Sequence, residues 1–479
     1  MRTLLVTCLG AAMLAATATA QWPHQIPQDD EDELHFAWAI TSDASGVIYV
    51  ASWLTDDIWR IPPGGETELF YDASEDPRNL IIQPSRMDCD ADGNLYVAMG
   101  QVSGIVKVAP DATTSYAIPP DGPVGASAFS SVVIGEDETL YATSHATVYK
   151  RTPDGTVTVI MDASGDGQGN ELVGATGLSL GKDGNVFVCG KYDVFRIATD
   201  GTISQIMALP PGLPWSNPGP KISATGTDAA GNVYVASRKR VHRITPSGDV
   251  SLLLAGSDPS RPVNFSDIEV DPKGNVYVSD NHSNRLFHIS PSGTVQVAID
   301  SRGDRQGNRL LDPGQLTIAA DGHVYVISTR NDKVFDLPPP QYFLVVGDSD
   351  DRGTFLHCRS GHRFTTQVGQ TLFSRRLSID ESPSVALGAL PFSRPTAPGS
   401  PPTDPFPIDE LFAQVLVFHP QAYPQQPERF SAPMRMQLWS NGALTGIETG
   451  QAKGLHVDLR VVRDSGGAGR VELPFVPYR

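Results

Sequence analysis

Short apolar runs recur along the first two-thirds of this chain, broken by Asp, Gly and Asn turns. Around Gly231, Asp228 opens a turn, Asn232 closes it, and Tyr234-Val235 begins a second apolar run. Val241 to Ile244 then forms a third run before Pro246 and Gly248 turn the chain again. The stretches after Asp90 and Lys182 read alike, with Gly93, Tyr96 and Lys107 in one and Gly184, Phe187 and Arg196 in the other. Alternation of period two with Gly-Asn punctuation predicts antiparallel hairpins, and the runs are too short for helices.

The unit repeats. An aromatic residue follows a turn residue by three positions seven times: Tyr49, Tyr96, Tyr141, Phe187, Tyr234, Tyr277 and Tyr325, after Gly46, Gly93, Glu138, Gly184, Gly231, Gly274 and Gly322. The turns are spaced 43 to 48 residues apart. Repeats of this length, each about four strands, predict an all-β fold: a seven-bladed β-propeller over 34–340, with six blades as the alternative count. The last unit lacks a fourth strand before Pro338, so the N-terminal segment is expected to supply it. The ring aromatics are expected in the core, where each buries roughly 150–250 Å². Arg60, Lys107, Lys150, Arg196 and Arg243 repeat in the third run, where His288 and Asp336 stand in the last two units.

The repeat stops at Gln341. Runs such as Ala413 to Phe418 still read as strands, so 341–479 is expected to be a smaller, sandwich-like all-β domain. At the other end, Arg2, an apolar run to Ala16 and an Ala18-Thr19-Ala20 site predict an export signal over 1–20. An acidic segment, 21–33, follows. The expected location is periplasmic, cell-surface or extracellular. Cys89, Cys189 and Cys358 would remain after cleavage, with no spacing that suggests a disulfide framework or a zinc site. The formal charge of −18 argues against nucleic acid as a partner. No later stretch is apolar for long enough to span a membrane as a helix.

One stretch carries a resemblance. Phe265, Asp267, Glu269, Asp271, Gly274, Tyr277, Asp280, Asn284 and Arg285 lie in a segment that resembles an NHL repeat, and 223–244, 176–197 and 85–108 are similar. The resemblance covers about two-thirds of the chain and implies a propeller. Related propellers include binding modules, streptogramin lyases and gluconolactonase-type lactonases, and fold alone does not choose among these.

Three groups of residues are candidates for chemistry. Eight positions before the turns stand Ser85, Ser130, Thr176, Ser223 and Ser266, with Arg86 and Gln315 beside that register; Trp38 interrupts it in the first unit. These predict a polar channel mouth that binds a ligand, or hydroxyls that satisfy crowded backbone groups. A lactonase, as the resemblance has it, would place carboxylate and Asn ligands for a cation there, where this chain has Ser and Thr. A lyase would need a His with an acid or base partner; His145 and His282 lie in loops after the second run without an evident one. Asp162, Asp166 and Asn170 recur as Asp300, Asp304 and Asn308, which resembles the first half of a Ca2+ loop without its closing Glu. The alternative for this pair is an inter-blade connection. The overall expectation is an exported bacterial binding or scaffold module for a protein or cell-surface glycan, with a lyase or lactonase at the channel mouth as the alternative.

Overall fold

The computed structural model describes residues 24–26, 34–102, 104–120, 128–209, 221–256 and 263–338, apart from 273, 292 and 305. Beyond these it describes strands between 341 and 476. Residues 22–338 and 339–479 fall into separate compact units. The export signal and the residues of the acidic segment before Leu34, other than 24–26, lie outside the described residues, as does Cys358.

The first unit is a propeller of seven four-stranded antiparallel sheets. Six blades are contiguous: 37–71, 84–118, 131–161, 177–208, 222–255 and 265–299. Blade 7 takes three strands from 313–337 and its outermost strand from His24–Gln25. His24 pairs with Asp336 and Gln25 with Phe335, and the amide of Ile26 donates to the carbonyl of Val334 at 2.9 Å. The two ends of the ring therefore share one sheet. No described residue is helical.

Each turn residue closes the first hairpin of its blade. The amides of Gly46, Gly93 and Gly231 donate to the carbonyls of Asp43, Asp90 and Asp228 at 3.1 Å. All seven turn residues have positive φ, and Glu138 (φ 60) holds that conformation with a side chain. Glycine does so without steric cost, whereas an L-residue pays about 1–2 kcal/mol.

The repeat aromatic then has a fixed environment. It is buried in six blades and half-buried at Tyr141. In every blade it lies between one residue of the innermost strand and one of the third strand: Asp88, Tyr96 and Lys107 in blade 2, Glu269, Tyr277 and His288 in blade 6. Tyr96 and Tyr234 donate their hydroxyls to Asp90 and Asp228 at 3.1 and 2.9 Å, which anchors the ring to its own turn. Burial and that neighbouring charge push both phenols above their ordinary pKa. Two of the repeated basic residues cap these rings, Lys107 at 5.5 Å from the Tyr96 centroid and Lys150 at 5.9 Å from Tyr141, whereas Arg60 lies over Phe70 at 5.6 Å. In blade 7, where Asp336 takes the basic position, His323 is its partner, with Nδ1 2.7 Å from Asp336 Oδ1 and its ring stacked on Tyr325.

The apolar core is divided among the blade interfaces. Ala39, Tyr49 and Ile58 pack with Met87, Leu95 and Val97 between blades 1 and 2. Equivalent clusters join each later pair. The last joins blades 7 and 1 through Tyr325, Ile327 and Val334 against Ile40, Ile48 and Trp59, with Ile26 added by the closing strand. No sheet covers its own faces; burying each Val, Leu or Ile side chain contributes about 1.5–3 kcal/mol only if the neighbouring blade is present.

In the second unit the described residues are strands. The largest sheet has six, among them Gln341–Gly347, Thr371–Leu377 and Glu410–Phe418.

Candidate functional site

The innermost strands begin with an irregularity that explains the small residues of the sequence pattern. Pairing slips across Trp38, Ser85, Ser223 and Ser266, each the extra residue of a β-bulge. A bulged residue turns its side chain out of the ladder. Ser85 Oγ donates to the carbonyl of Phe129 at 2.8 Å, Ser223 Oγ to Phe265 at 2.7 Å and Ser266 Oγ to Pro313 at 3.0 Å. Ser130 Oγ reaches Ala175 at 2.9 Å, while Thr176 Oγ1 stays within its blade on the Cys189 carbonyl. Four of these hydroxyls thus stitch one blade to the next.

Two side chains from the following register cross the channel. Arg86 of blade 2 holds Asp267 of blade 6, Nη2 to Oδ1 at 2.7 Å and Nη1 to Oδ2 at 3.4 Å. Asp267 is 1% exposed and also accepts the amide of Leu316 at 3.2 Å. Burial pushes its carboxyl up, and Arg86 and the Leu316 and Ile268 amides act against that. Gln315 of blade 7 donates to the carbonyl of Ser85 at 2.8 Å. Together these struts span the lumen near the start of the innermost strands.

Two residues further along, five positions before each turn, every blade contributes one residue to a cavity: Thr41, Asp88, Val133, Ser179, Gly226, Glu269 and Thr317. Its volume is about 760 Å³, and its rim reaches Glu136, Asp137, Lys150 and Lys182 on the face of the first-hairpin turns. Gly226 lets blade 6 approach closely, since a Cβ there would meet Val270 Cγ2 at 2.9 Å. Asp88 and Glu269 are the charged members of this ring. The amides of Cys89 and Ile134 donate to Asp88 at 2.9 and 2.8 Å; burial outweighs them and raises its pKa to about 6. Glu269 accepts no hydrogen bond through its carboxylate from any described residue. Enclosure by protein, then the charge of Asp267, raises it to about 8, although lumen water still reaches it. Asp88, Asp267 and Glu269 were not among the site candidates read from the sequence. The signal was available: they stand five or seven positions before the turn, in phase with the lumen.

The opposite face, where the inter-blade connections emerge, carries an aromatic cluster. Phe36 and Trp38 stack at 5.9 Å with planes 7° apart, and Trp53 lies 5.5 Å from Trp38. Phe36 is 42% exposed, Trp38 38% and the adjacent Leu54 72%. Trp53 leans over Gly100 of blade 2, where a Cβ would stand 3.3 Å from its ring. His145 and His282 lie in separate second-hairpin loops on blades 3 and 6.

The duplicated Asp/Asn loops connect blades 3 to 4 and 6 to 7. Asp162 accepts from the amide and hydroxyl of Ser164; Asp166 accepts from Gln168 and Asn170. Asp304 repeats this with Gln306 and Asn308, Asp300 pairs with Arg302, and Lys333 donates to Asn308 at 2.7 Å. Among the described residues no three His, Cys, Asp or Glu side chains converge as a metal site.

No protein-family model and no curated protein matches the chain. Solved structures do. A streptogramin B lyase structure shares 16% identity at TM-score 0.51, over 66% of this chain and 96% of that one. Virginiamycin B lyase from Staphylococcus aureus shares 12% at 0.53, over 66% and 98%. The chain has the streptogramin-lyase-like propeller fold. The extracellular domain of the putative one-component system BT4673 from B. thetaiotaomicron shares 13% at 0.51, over 95% of this chain and 58% of that one. At these identities the streptogramin-lyase-like likeness is one of fold, so the chemistry rests on this chain's own side chains. No helix among the described residues is long and apolar enough to cross a membrane.

Proposed function

We propose that the protein is an exported binding module whose propeller takes a protein or cell-surface glycan on the inter-blade-loop face. The exposed Phe36, Trp38, Trp53 and Leu54 cluster carries this reading. Apolar rings in water are stabilised by a partner that covers them, and flat aromatic faces suit both apolar protein side chains and sugar rings. The channel-mouth residues support it from the other side. Ser85, Ser130, Ser223 and Ser266 are engaged in joining blades, and Arg86 and Gln315 in bracing the lumen. Groups held this way build a rigid platform.

The test is capture of envelope proteins and purified surface glycans by the immobilised full chain, compared with a Trp38→Ala, Leu54→Ser variant. Loss of a specific bound species with unchanged melting supports the reading. Equal capture by both forms overturns it.

A further inference from the structure

We propose that the axial cavity is a second site, for a small organic cation bearing one protonated nitrogen, with Glu269 as its counter-charge. The charges of the lumen do not close among themselves. Arg86 is held by Asp267, and Asp88 has two backbone amides. Glu269 remains, facing the cavity with no protein donor on its carboxylate among the described residues. A carboxylate this enclosed, with water as its hydrogen-bond partner, favours either a proton or a cation.

The cavity fits the second. Its volume of about 760 Å³ falls within the range of small-molecule sites. Thr41, Ser179, Thr225 and Thr317 offer hydroxyl acceptors for the remaining N–H groups, and Met87 and Leu316 offer apolar wall for a hydrocarbon portion. A divalent metal would need more carboxylate oxygens than converge here. The formal charge of −18 draws cations towards a cleft of this kind. The charged groups facing Glu269 are Asp267, Arg86 and Asp88, with Glu136, Asp137, Lys150 and Lys182 at the rim.

Binding would displace the proton that enclosure holds on Glu269. The proton leaves to buffer as the ammonium takes its place.

The experiment is calorimetry of the full chain near neutral pH with butylamine, ethanolamine and cyclohexylamine as probes, in two buffers of different ionisation enthalpy, with calcium chloride alongside. The expected result is one site for at least one amine, proton release of up to one per site, and affinity that falls at least tenfold as pH drops through the Glu269 titration. Glu269→Gln should weaken binding at least tenfold and abolish proton release, while Leu252→Ser, at an exposed position on the outermost strand of blade 5, leaves both unchanged. The wild-type pH profile and buffer dependence decide the matter if Glu269→Gln does not fold. Absence of binding at about 10 mM of every amine (a limit near 3 kcal/mol), equal binding by Glu269→Gln, or response to calcium alone overturns the proposal.

Discussion

Replacing Arg86 by Ala is the most informative single perturbation of the propeller. Its guanidinium makes two contacts to Asp267, a residue 1% exposed, 181 positions away in sequence and on a non-adjacent blade. With Arg86 gone, Asp267 keeps the Leu316 amide but loses its counter-charge, so it must be buried unpaired or protonated. Breaking a buried pair in this way costs about 3–5 kcal/mol. For a unit of roughly 300 residues the unfolding entropy is about 0.6 kcal/mol/K, so Tm should fall by about 5–8 °C. Asp267→Asn in the Arg86→Ala background should recover most of that loss, because no charge is then stranded. Differential scanning calorimetry of the two single variants and the double variant closes the cycle. A coupling below about 0.5 kcal/mol, the noise of independent sites, would refute the strut.

Other expectations are narrower. Glu269→Gln should gain stability over wild type as pH rises. A carboxyl whose folded pKa is raised from 4.5 to about 8 contributes fully below about 4.5 and loses its contribution as pH climbs through 8; melting at pH 5 and pH 9 checks this, and a difference that does not grow would contradict it. His323 is opposed by burial but held above its ordinary 6.5 by Asp336, so that pair stabilises below pH 6.5 and fades as pH rises through the folded value. Asp336→Asn should therefore lower Tm more at pH 5.5 than at pH 9. Glu138→Gly should raise stability by about 1 kcal/mol in denaturant melts, because Glu138 holds a φ of 60 where the other six turns have glycine.

The seven blades were legible because one repeated feature reports one repeated environment. Tyr96, Phe187 and Tyr277 all pair across the blade with a lumen residue on one side and a third-strand residue on the other. The need for a borrowed closing strand was also readable from the truncated last unit, although not that His24 and Gln25 would be it. The register of the lumen was less accessible. Alternation suggests that Ser85 and Ser266 face the channel, but a bulge at each removes them from the alternating phase. Their side chains turn to the neighbouring blade, and the following residues, Arg86 and Asp267, take the lumen. The recurring small residue marks the place of this insertion, but alternation alone does not show that the phase shifts there. Trp38 was visible as the break in that pattern; its partners Phe36 and Trp53 come together only once the first hairpin folds.

Strut, cavity and aromatic face all depend on the ring being closed by the N-terminal strand. A His24→Cys, Asp336→Cys variant tests that closure directly, since directly opposed antiparallel residues stand within disulfide reach. The closed ring predicts rapid intramolecular oxidation, a faster-migrating monomer on a non-reducing gel and a higher Tm when oxidised. Thiols that stay free, or that link only one molecule to another, would contradict it.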